Sequence, residues 1–383
     1  MRAPDPYRIL FPIGVAFGVI GAALWPLHAW GIIPYPATLH WHLMTQGFQQ
    51  CFILGFLLTA MPSFMSAERC RPMELAAAVG GMVGFGAAAL LGADAVAQAF
   101  YVATILLAGG MARRRFAAGA KLPPEEFLLV AVGFLFGGVG AIWQGGIDLG
   151  FLSEPVPRFA LHLVSMGMIL SLVLGVGGLL VPTFSSMREP LQIPGIAKPH
   201  ERHPRRALYA AVALALAGSF ALEAFRHPAI ASWSRAVAGS VMLLLVWKLF
   251  RLPGRRDLLS FTLWGAGWMI FLGLWLVALV PSRPLLGTHV VLIGGFGFLS
   301  AGIATRVVVR HGGHPLADEA RVLRPLVVFL LAFAVAARAA AEAAGPGART
   351  TLLSASALAW IAAWVVWSLG AAPRLPTSSP PSS

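Results

Sequence analysis

Apolar runs of about 20 residues recur along the whole chain, and short polar or charged stretches separate them. A run of this length crosses the hydrocarbon core of a bilayer, which is about 30 Å thick. Because lipid offers no hydrogen-bonding partners, each run must satisfy its own backbone groups and is predicted to be a helix. The pattern therefore predicts an all-α, polytopic membrane protein of about twelve transmembrane helices. Their predicted ranges are 8–29, 41–63, 73–92, 95–112, 126–147, 159–182, 206–224, 231–250, 258–280, 286–308, 322–340 and 350–370.

The composition agrees with this class of protein. Of the 383 residues, 58% are hydrophobic and 11% are charged, whereas soluble domains carry about 25% charged residues. Cys51 falls within a predicted helix and Cys70 in a loop, so no disulfide framework is expected. The first apolar run is long and lacks a small-residue cleavage site, so no cleavable signal peptide is predicted. The Pro- and Ser-rich tail, 373–383, is predicted to be disordered.

The net charge of +13 is explained by membrane topology. Most of the 28 Lys and Arg residues lie at the helix ends that share a side with the N-terminus. Positive charge is retained in the cytoplasm, which places both termini there. The expected partner of these charges is therefore the lipid bilayer, and no nucleic-acid partner is predicted.

The second predicted helix carries several polar side chains near its start. His42, Gln46 and Gln49 share one face of an α-helix, because they are spaced four and three residues apart. His40 lies two residues before His42 and points nearly the opposite way. One of the two histidines can face the bundle interior, while the other faces a different neighbour or the interface. Polar groups at this depth usually have a partner or a function.

These features recur in two later helices of the same direction. His42, His162 and His289 each lie near the start of such a helix, and Pro62 and Pro182 end the first two helices in the same register. Four predicted helices fill each interval, so the chain is predicted to contain three pseudo-symmetric four-helix units. The units cover about residues 1–120, 121–250 and 251–372 of one membrane domain, 1–372.

Three histidines at matched positions favour metal ligation over three interfacial residues, and imidazole suits both iron and copper. A glycine follows each of the three by five residues. These glycines would let a flat macrocycle approach the helix, or they serve helix packing. They are Gly47, Gly167 and Gly294.

Three stretches resemble the NnrS family of haem- and copper-containing bacterial membrane proteins. His40 to Phe48 reads H-W-H-L-M-T-Q-G-F and is followed by G-F-L-L-T-A-M-P, similar to the family's H-x-H-E-M-x-x-G-F and G-F-L-L-T-A-x-P. His289 begins H-V-V-L-I-G-G-F-G, and T-R and H-G-G follow, similar to the tenth-helix pattern H-A-x-x-x-G-x-x-G, then T-R-x-x-x-x-H-x-G. The stretch G-G-L-L-V-P-T-F of the sixth helix resembles G-G-R-V-I-P-F-F. Leu43 and Leu179 replace the family's Glu and Arg, which indicates a divergent member.

The resemblance implies an inner-membrane protein that binds haem b, and also copper, near the periplasmic face. It implies a role in nitric-oxide or denitrification-linked metabolism, or in protection against nitrosative stress, with nitric oxide or a related small molecule as ligand. His42 and His289 are the axial pair expected by analogy with helices two and ten of haem–copper oxidases, with His162 or His40 as a second ligand set. The expected supporting residues are Met44, Gln46, Gln49, Arg306 and His311. The electron donor is not identified.

Two other functions remain open. A transporter or sensor without metal would use Gln46, Gln49, Gln144 and the histidines to contact a small polar solute. A nitric-oxide-converting oxidoreductase would need a fuller metal constellation, such as the inner histidines of haem–copper oxidases, and the seventh helix offers none. Binding or protection is therefore favoured over turnover. No Asp or Glu lies in the middle of a predicted helix, and a repeat in thirds differs from the two halves of many transporters.

Overall fold

The computed structural model describes residues 4–65, 67–118, 124–156, 158–185 and 205–376. These ranges form helices joined by short connections, and no strand occurs within them. Eleven helices are long and apolar enough to cross a membrane, and a bent pair brings the number to twelve. The prediction of an all-α, polytopic membrane protein is confirmed.

We number the helices α1 to α12 in chain order. They are Tyr7–Ala29, Ala37–Pro62, Pro72–Leu90, Asp94–Ala118, Phe127–Asp148, Phe159–Phe184, Arg206–Ala224, Pro228–Val246, Leu258–Leu279, Pro284–His311, the pair Leu316–Val322 and Pro325–Ala341, and Pro346–Arg374.

Helix α11 is broken by a bend of 48° between Val322 and Pro325. Pro325 is the first residue of the second part, where its missing N–H costs no hydrogen bond. The ring of a proline disfavours helical geometry in the preceding residue, and Arg324 is extended there. The proline therefore sets the start of the long part of α11.

Contacts divide the chain into two compact units. Unit 1 comprises Met1–Phe56 and Arg255–Ser383, and unit 2 comprises Leu57–Gly254. In unit 1, α12 packs against α1 and α11, and α9 packs along α10. In unit 2, α3 to α6 pack in sequence and α7 packs against α8. The threefold division of the chain stays a prediction, and residues 377–383 of the predicted tail lie outside the described ranges.

The helices that carry His42, His162 and His289 share two features. The most apolar windows of α2, α6 and α10 are 89%, 94% and 78% buried, against 50% or less for the other unbroken spans. Each of the three also contains a π-helical segment that begins at or just after its histidine. A fourth such segment, Met242–Val246, lies in α8. The segments in α2, α6 and α10 are His42–Gln49, Leu163–Ile169 and Val290–Gly297.

The glycine that follows each histidine serves helix packing. A Cβ added to Gly47 would lie 2.9 Å from the ring of Phe17, and one added to Gly167 would lie 2.9 Å from the Cβ of Phe136. Gly294 faces Met269 in the same way, at 3.0 Å. In each case the neighbour belongs to the preceding long span. The expectation that these glycines leave space for a macrocycle is wrong, because apolar side chains fill that space.

Substitution of Gly273 with alanine should destabilise the protein by about 1–3 kcal/mol through overpacking. The added Cβ would lie 2.7 Å from the carbonyl oxygen of Gly287 and 2.8 Å from the Val291 nitrogen, and backbone atoms cannot rotate aside. Gly265, in the same helix, has no atom within 4 Å of such a Cβ. Gly265→Ala is therefore the matched control and should be neutral or slightly stabilising. Thermal unfolding in detergent checks both, and equal midpoints for the two variants would contradict the prediction.

Candidate functional site

A cavity of about 70 Å³ lies in unit 1, beside the N-terminal ends of α2 and α10. We call this end of unit 1 the histidine end. Helices α1, α11 and α12 complete the walls, so five helices define the space. Its lining residues are Ala22, Trp25, His40, Met44, Thr45, Gln49, His289, Leu292, Ile293, Arg338, Leu353, Ser356, Ala357 and Trp360.

The two histidines of this cavity are held in the same tautomer. The Nδ1 of His40 lies 2.8 Å from the carbonyl oxygen of Gly21, and that of His289 lies 2.8 Å from the carbonyl oxygen of Leu285. A carbonyl oxygen can only accept, so Nδ1 carries the proton and Nε2 keeps a lone pair. Metal-ligating histidines almost always show this arrangement, in which the second nitrogen donates to a carbonyl or carboxylate. The cavity therefore contains two preorganised imidazole donors.

The pairing of His42 with His289 stays a prediction, and only one of the two lines this cavity. His42 is completely buried and is not among the residues that line the cavity, whereas His40 lines it together with His289. Gln46 is also completely buried and absent from the walls. The structure thus brings His289 together with His40 rather than with His42.

Two of the predicted supporting residues do line the cavity. The thioether of Met44 belongs to a wall residue, and sulfur is a soft metal ligand. Gln49 is buried, and its Oε1 accepts a hydrogen bond from the Ser300 hydroxyl at 3.4 Å. That bond ties α2 to α10 at the wall of the cavity.

Arg338 is a cavity residue that is not among the predicted site residues. It is the one Lys, Arg, Asp or Glu in the cavity wall, within the part of the chain that the structure describes. Its Nη1 donates to Glu342 Oε1 at 2.6 Å, and Arg349 lies 3.7 Å from the same carboxylate. Arg338 and Arg349 thus share the carboxylate of Glu342, so these three side chains together carry a net positive charge. The signal in the sequence was an arginine inside a predicted membrane helix, where charges are rare and usually functional.

A second cavity, of about 370 Å³, adjoins the first at the histidine end. Trp25 and Leu353 line both cavities. The other residues of this outer cavity are His28, Tyr35, Ala344, Pro346, Arg349 and Thr350.

His162 belongs to unit 2 and is braced by a carboxylate. Its Nδ1 lies 2.6 Å from Glu223 Oε1, and Arg235 forms an ion pair with the other oxygen of Glu223. The Arg235 guanidinium also donates to the Ser219 hydroxyl at 3.0 Å and lies over the ring of Phe220. Nδ1 of His162 therefore carries a proton, and the His162 side chain is 37% exposed.

Arg306 and His311 do not support the cavity. Arg306 follows His289 by 17 residues of continuous helix, a rise of about 25 Å. It pairs with Glu319, and His311 is exposed with its ring 6.3 Å from that of Tyr7. Both residues belong to the end of unit 1 opposite the histidine end, where they stabilise the fold.

No set of three His, Cys, Asp or Glu side chains within the described ranges is arranged to hold a metal ion. A metal in the cavity would therefore depend on the two imidazoles and on donors of other kinds.

Comparison with known proteins places the chain in a family. No curated protein and no solved structure matches it. The family model described as "NnrS protein" matches residues 3–378, nearly the full length. The chain therefore belongs to the NnrS family.

Proposed function

We propose that this protein binds haem b in unit 1, where His40 and His289 would hold the iron, and that it acts in nitric-oxide metabolism or nitrosative-stress protection. The observation that carries the proposal is the pair of imidazoles that line one cavity with Nε2 lone pairs. Haem iron takes axial histidine readily. A haem held there would supply the iron for a small ligand such as nitric oxide, which would have to displace one of the two imidazoles.

The charged side chains at the inner cavity favour the binding of an anionic group. Arg338 and Arg349 share the single carboxylate of Glu342, so one positive charge remains uncompensated. A guanidinium fork forms strong paired hydrogen bonds to carboxylates. The propionate groups of a haem would satisfy this requirement.

The space for a macrocycle comes from both cavities. The inner cavity of about 70 Å³ is smaller than the 300–1,000 Å³ typical of sites for drug-sized ligands. The outer cavity adds about 370 Å³. A haem bound to His40 and His289 would therefore have to displace side chains of the inner wall, and Trp25 and Leu353, which line both cavities, are the candidates.

Copper is a second candidate for the same donors. Two imidazoles and the Met44 thioether line the inner cavity, and Cu(I) favours soft sulfur beside histidine. A single ion also fits the inner volume without displacement of Trp25. The family resemblance implies both metals. The Soret band and the iron and copper contents of the protein distinguish the two candidates.

An absorption spectrum of the purified protein tests the assignment. We expect a Soret band that is lost or shifted in His40→Ala and His289→Ala, because each removes one axial ligand. His227→Ala is the matched control, since this histidine is exposed in unit 2. Copper without iron in elemental analysis, lost in the same two variants, would select the second candidate. A folded protein with neither metal would overturn both and favour the solute transporter or sensor.

A further inference from the structure

The outer cavity combines an arginine with a wall of polar and apolar side chains. Arg349 lines it from the start of α12, and His28 and Tyr35 line it from α1 and the loop that follows. Trp25 and Leu353 contribute apolar surface. The volume of about 370 Å³ lies within the range of about 300–1,000 Å³ that is typical of small-molecule sites. The cavity therefore suits a molecule that has both a polar and an apolar part.

Positive charge gathers at this cavity on a side of the membrane where it is scarce. In unit 1, the arginines of the histidine end are Arg283, Arg338 and Arg349, and the other described arginines belong to the opposite end. Glu342 is the one Asp or Glu of the histidine end within the part of unit 1 that the structure describes. The charge distribution predicts that this end lies away from the cytoplasm, where Lys and Arg are disfavoured. The retention of two arginines beside one carboxylate therefore needs a reason.

Arg349 keeps hydrogen-bond donors available for a ligand. Its Nη2 lies 3.7 Å from Glu342 Oε1, which is longer than a hydrogen bond. The same oxygen accepts from Arg338 Nη1 at 2.6 Å, so Arg338 is the closer partner of the carboxylate. The Arg349 side chain is 47% exposed, whereas that of Glu342 is 9% exposed. Because a guanidinium fork binds phosphate through paired hydrogen bonds, Arg349 is the anion contact of the outer cavity.

His28 and Thr350 offer acceptors beside this donor. The Nδ1 of His28 lies 3.2 Å from the carbonyl oxygen of Ile33. Since a carbonyl only accepts, Nδ1 carries the proton, and Nε2 of the neutral ring accepts. The Thr350 hydroxyl donates to the carbonyl oxygen of Pro346 at 3.2 Å, so its own oxygen is left to accept. The cavity thus presents a donor for an anionic group together with acceptors for hydroxyl groups.

The rim of the cavity has the composition of a membrane interface. The loop after α1 exposes Trp30, Ile32 and Tyr35, with exposed fractions of 68%, 63% and 66%. Exposed aromatic residues at the end of a membrane helix are typical of the level of the lipid headgroups. Tyr35 also lines the outer cavity. The molecules nearest to the cavity are therefore phospholipids.

We propose that the outer cavity binds the headgroup of an anionic phospholipid of the phosphatidylglycerol type. The phosphate pairs with Arg349, and the hydroxyl groups of the headgroup donate to His28 Nε2 and to the Thr350 oxygen. The net positive charge of the two arginines and their shared carboxylate selects a lipid with one net negative charge over a zwitterionic lipid. This site does not depend on a metal, and a haem that extended into the outer cavity would displace the lipid.

Native mass spectrometry of the purified protein in detergent, with added lipid, tests the proposal. We expect phosphatidylglycerol to bind more tightly than phosphatidylcholine with the same acyl chains. Arg349→Leu should weaken binding of phosphatidylglycerol by about 10-fold, as expected for the loss of a hydrogen bond to a charged group. Arg283→Leu is the matched control, because Arg283 is exposed at the same end but does not line the cavity. It should bind the lipid as the wild type does.

Two further variants test the charge and the acceptors separately. Glu342→Gln removes the negative charge beside the arginines and should tighten binding of phosphatidylglycerol, an effect that partial unfolding does not produce. His28→Phe should weaken binding of phosphatidylglycerol but not of phosphatidic acid, whose headgroup carries no glycerol hydroxyls.

Equal affinities of the wild type and Arg349→Leu for phosphatidylglycerol would overturn the proposal, and so would equal affinities of the wild type for phosphatidylglycerol and phosphatidylcholine. Glycerol phosphate that displaced the lipid at equal concentration would assign the cavity to a soluble phosphate and overturn the phospholipid as occupant. Protein without a metal should bind the lipid with the affinities given above. The absence of a Soret band or of copper would therefore contradict the proposed function and leave the lipid site standing.

Discussion

Glu223→Ala should destabilise the protein by about 3–5 kcal/mol, the cost of leaving a buried charge without its partner. The side chains of Glu223 and Arg235 are 6% and 8% exposed, and they form an ion pair. Removal of the carboxylate leaves the guanidinium buried against Phe220, with Ser219 as a neutral partner. His162 also loses the acceptor for its Nδ1 proton. The measurement is chemical or thermal unfolding of the purified protein in detergent.

Three further variants show whether charge is the cause. Glu223→Gln keeps the hydrogen-bonding oxygen but not the charge, so it should be less destabilised than Glu223→Ala. Joint replacement of Glu223 and Arg235 with leucine should recover much of the loss, because well-packed apolar residues can replace a buried pair. Glu68→Ala is the control in the same unit, since Glu68 and Arg71 are both exposed, and it should be close to wild type. A double variant no more stable than Glu223→Ala would show that the charge is not the cause.

The fold was predictable because the bilayer restricts it. Lipid forces apolar runs into helices, and the predicted range 206–224 coincides with the observed Arg206–Ala224. The break in α11 is also encoded locally, by the proline at position 325. The repeated histidines singled out α2, α6 and α10 as related helices. These three are also the most buried of the unbroken spans. The division into two compact units depends on contacts between distant segments, which no local pattern contains.

The sequence predicted which residue types would lie near the cavity but not which of the two neighbouring histidines would line it. The grouping of His42 with Gln46 and Gln49 assumed a regular α-helix of about 100° per residue. His42–Gln49 is π-helical, so its turns are wider and the side chains shift in phase. In a regular α-helix His40 and Gln49 would lie about 180° apart, yet both line the cavity. Local sequence does not reveal a π-helical segment, and this is why it did not predict that His40, and not His42, lines the cavity.

Arg338→Leu should weaken haem binding by about 10- to 100-fold. A hydrogen bond to a charged group contributes about 1.5–3 kcal/mol, and about 1.4 kcal/mol corresponds to a factor of ten. Arg338 is the charged wall residue of the inner cavity, and its side chain is 10% exposed. Folding should survive the change better than in Glu223→Ala, because Arg349 still lies 3.7 Å from the Glu342 carboxylate. Titration of the haem-free protein, followed at the Soret band, gives the affinities.

The identity of the bound group decides how the matched variants behave. Arg338→Lys keeps the charge but loses the planar fork, so it should bind haem with an affinity between those of the wild type and Arg338→Leu. Arg374→Leu is the control, because Arg374 is an equally buried, ion-paired arginine whose side chain is 11% exposed and whose partner is Asp318. This residue lies at the end of α12 away from the cavity, so Arg374→Leu should leave the affinity for haem unchanged.

If copper is the resident metal, no propionate contacts the guanidinium, and Arg338→Leu should leave copper binding intact while His40→Ala and His289→Ala abolish it. An unchanged haem affinity in Arg338→Leu would contradict the role of this arginine and favour a bare metal ion over a haem.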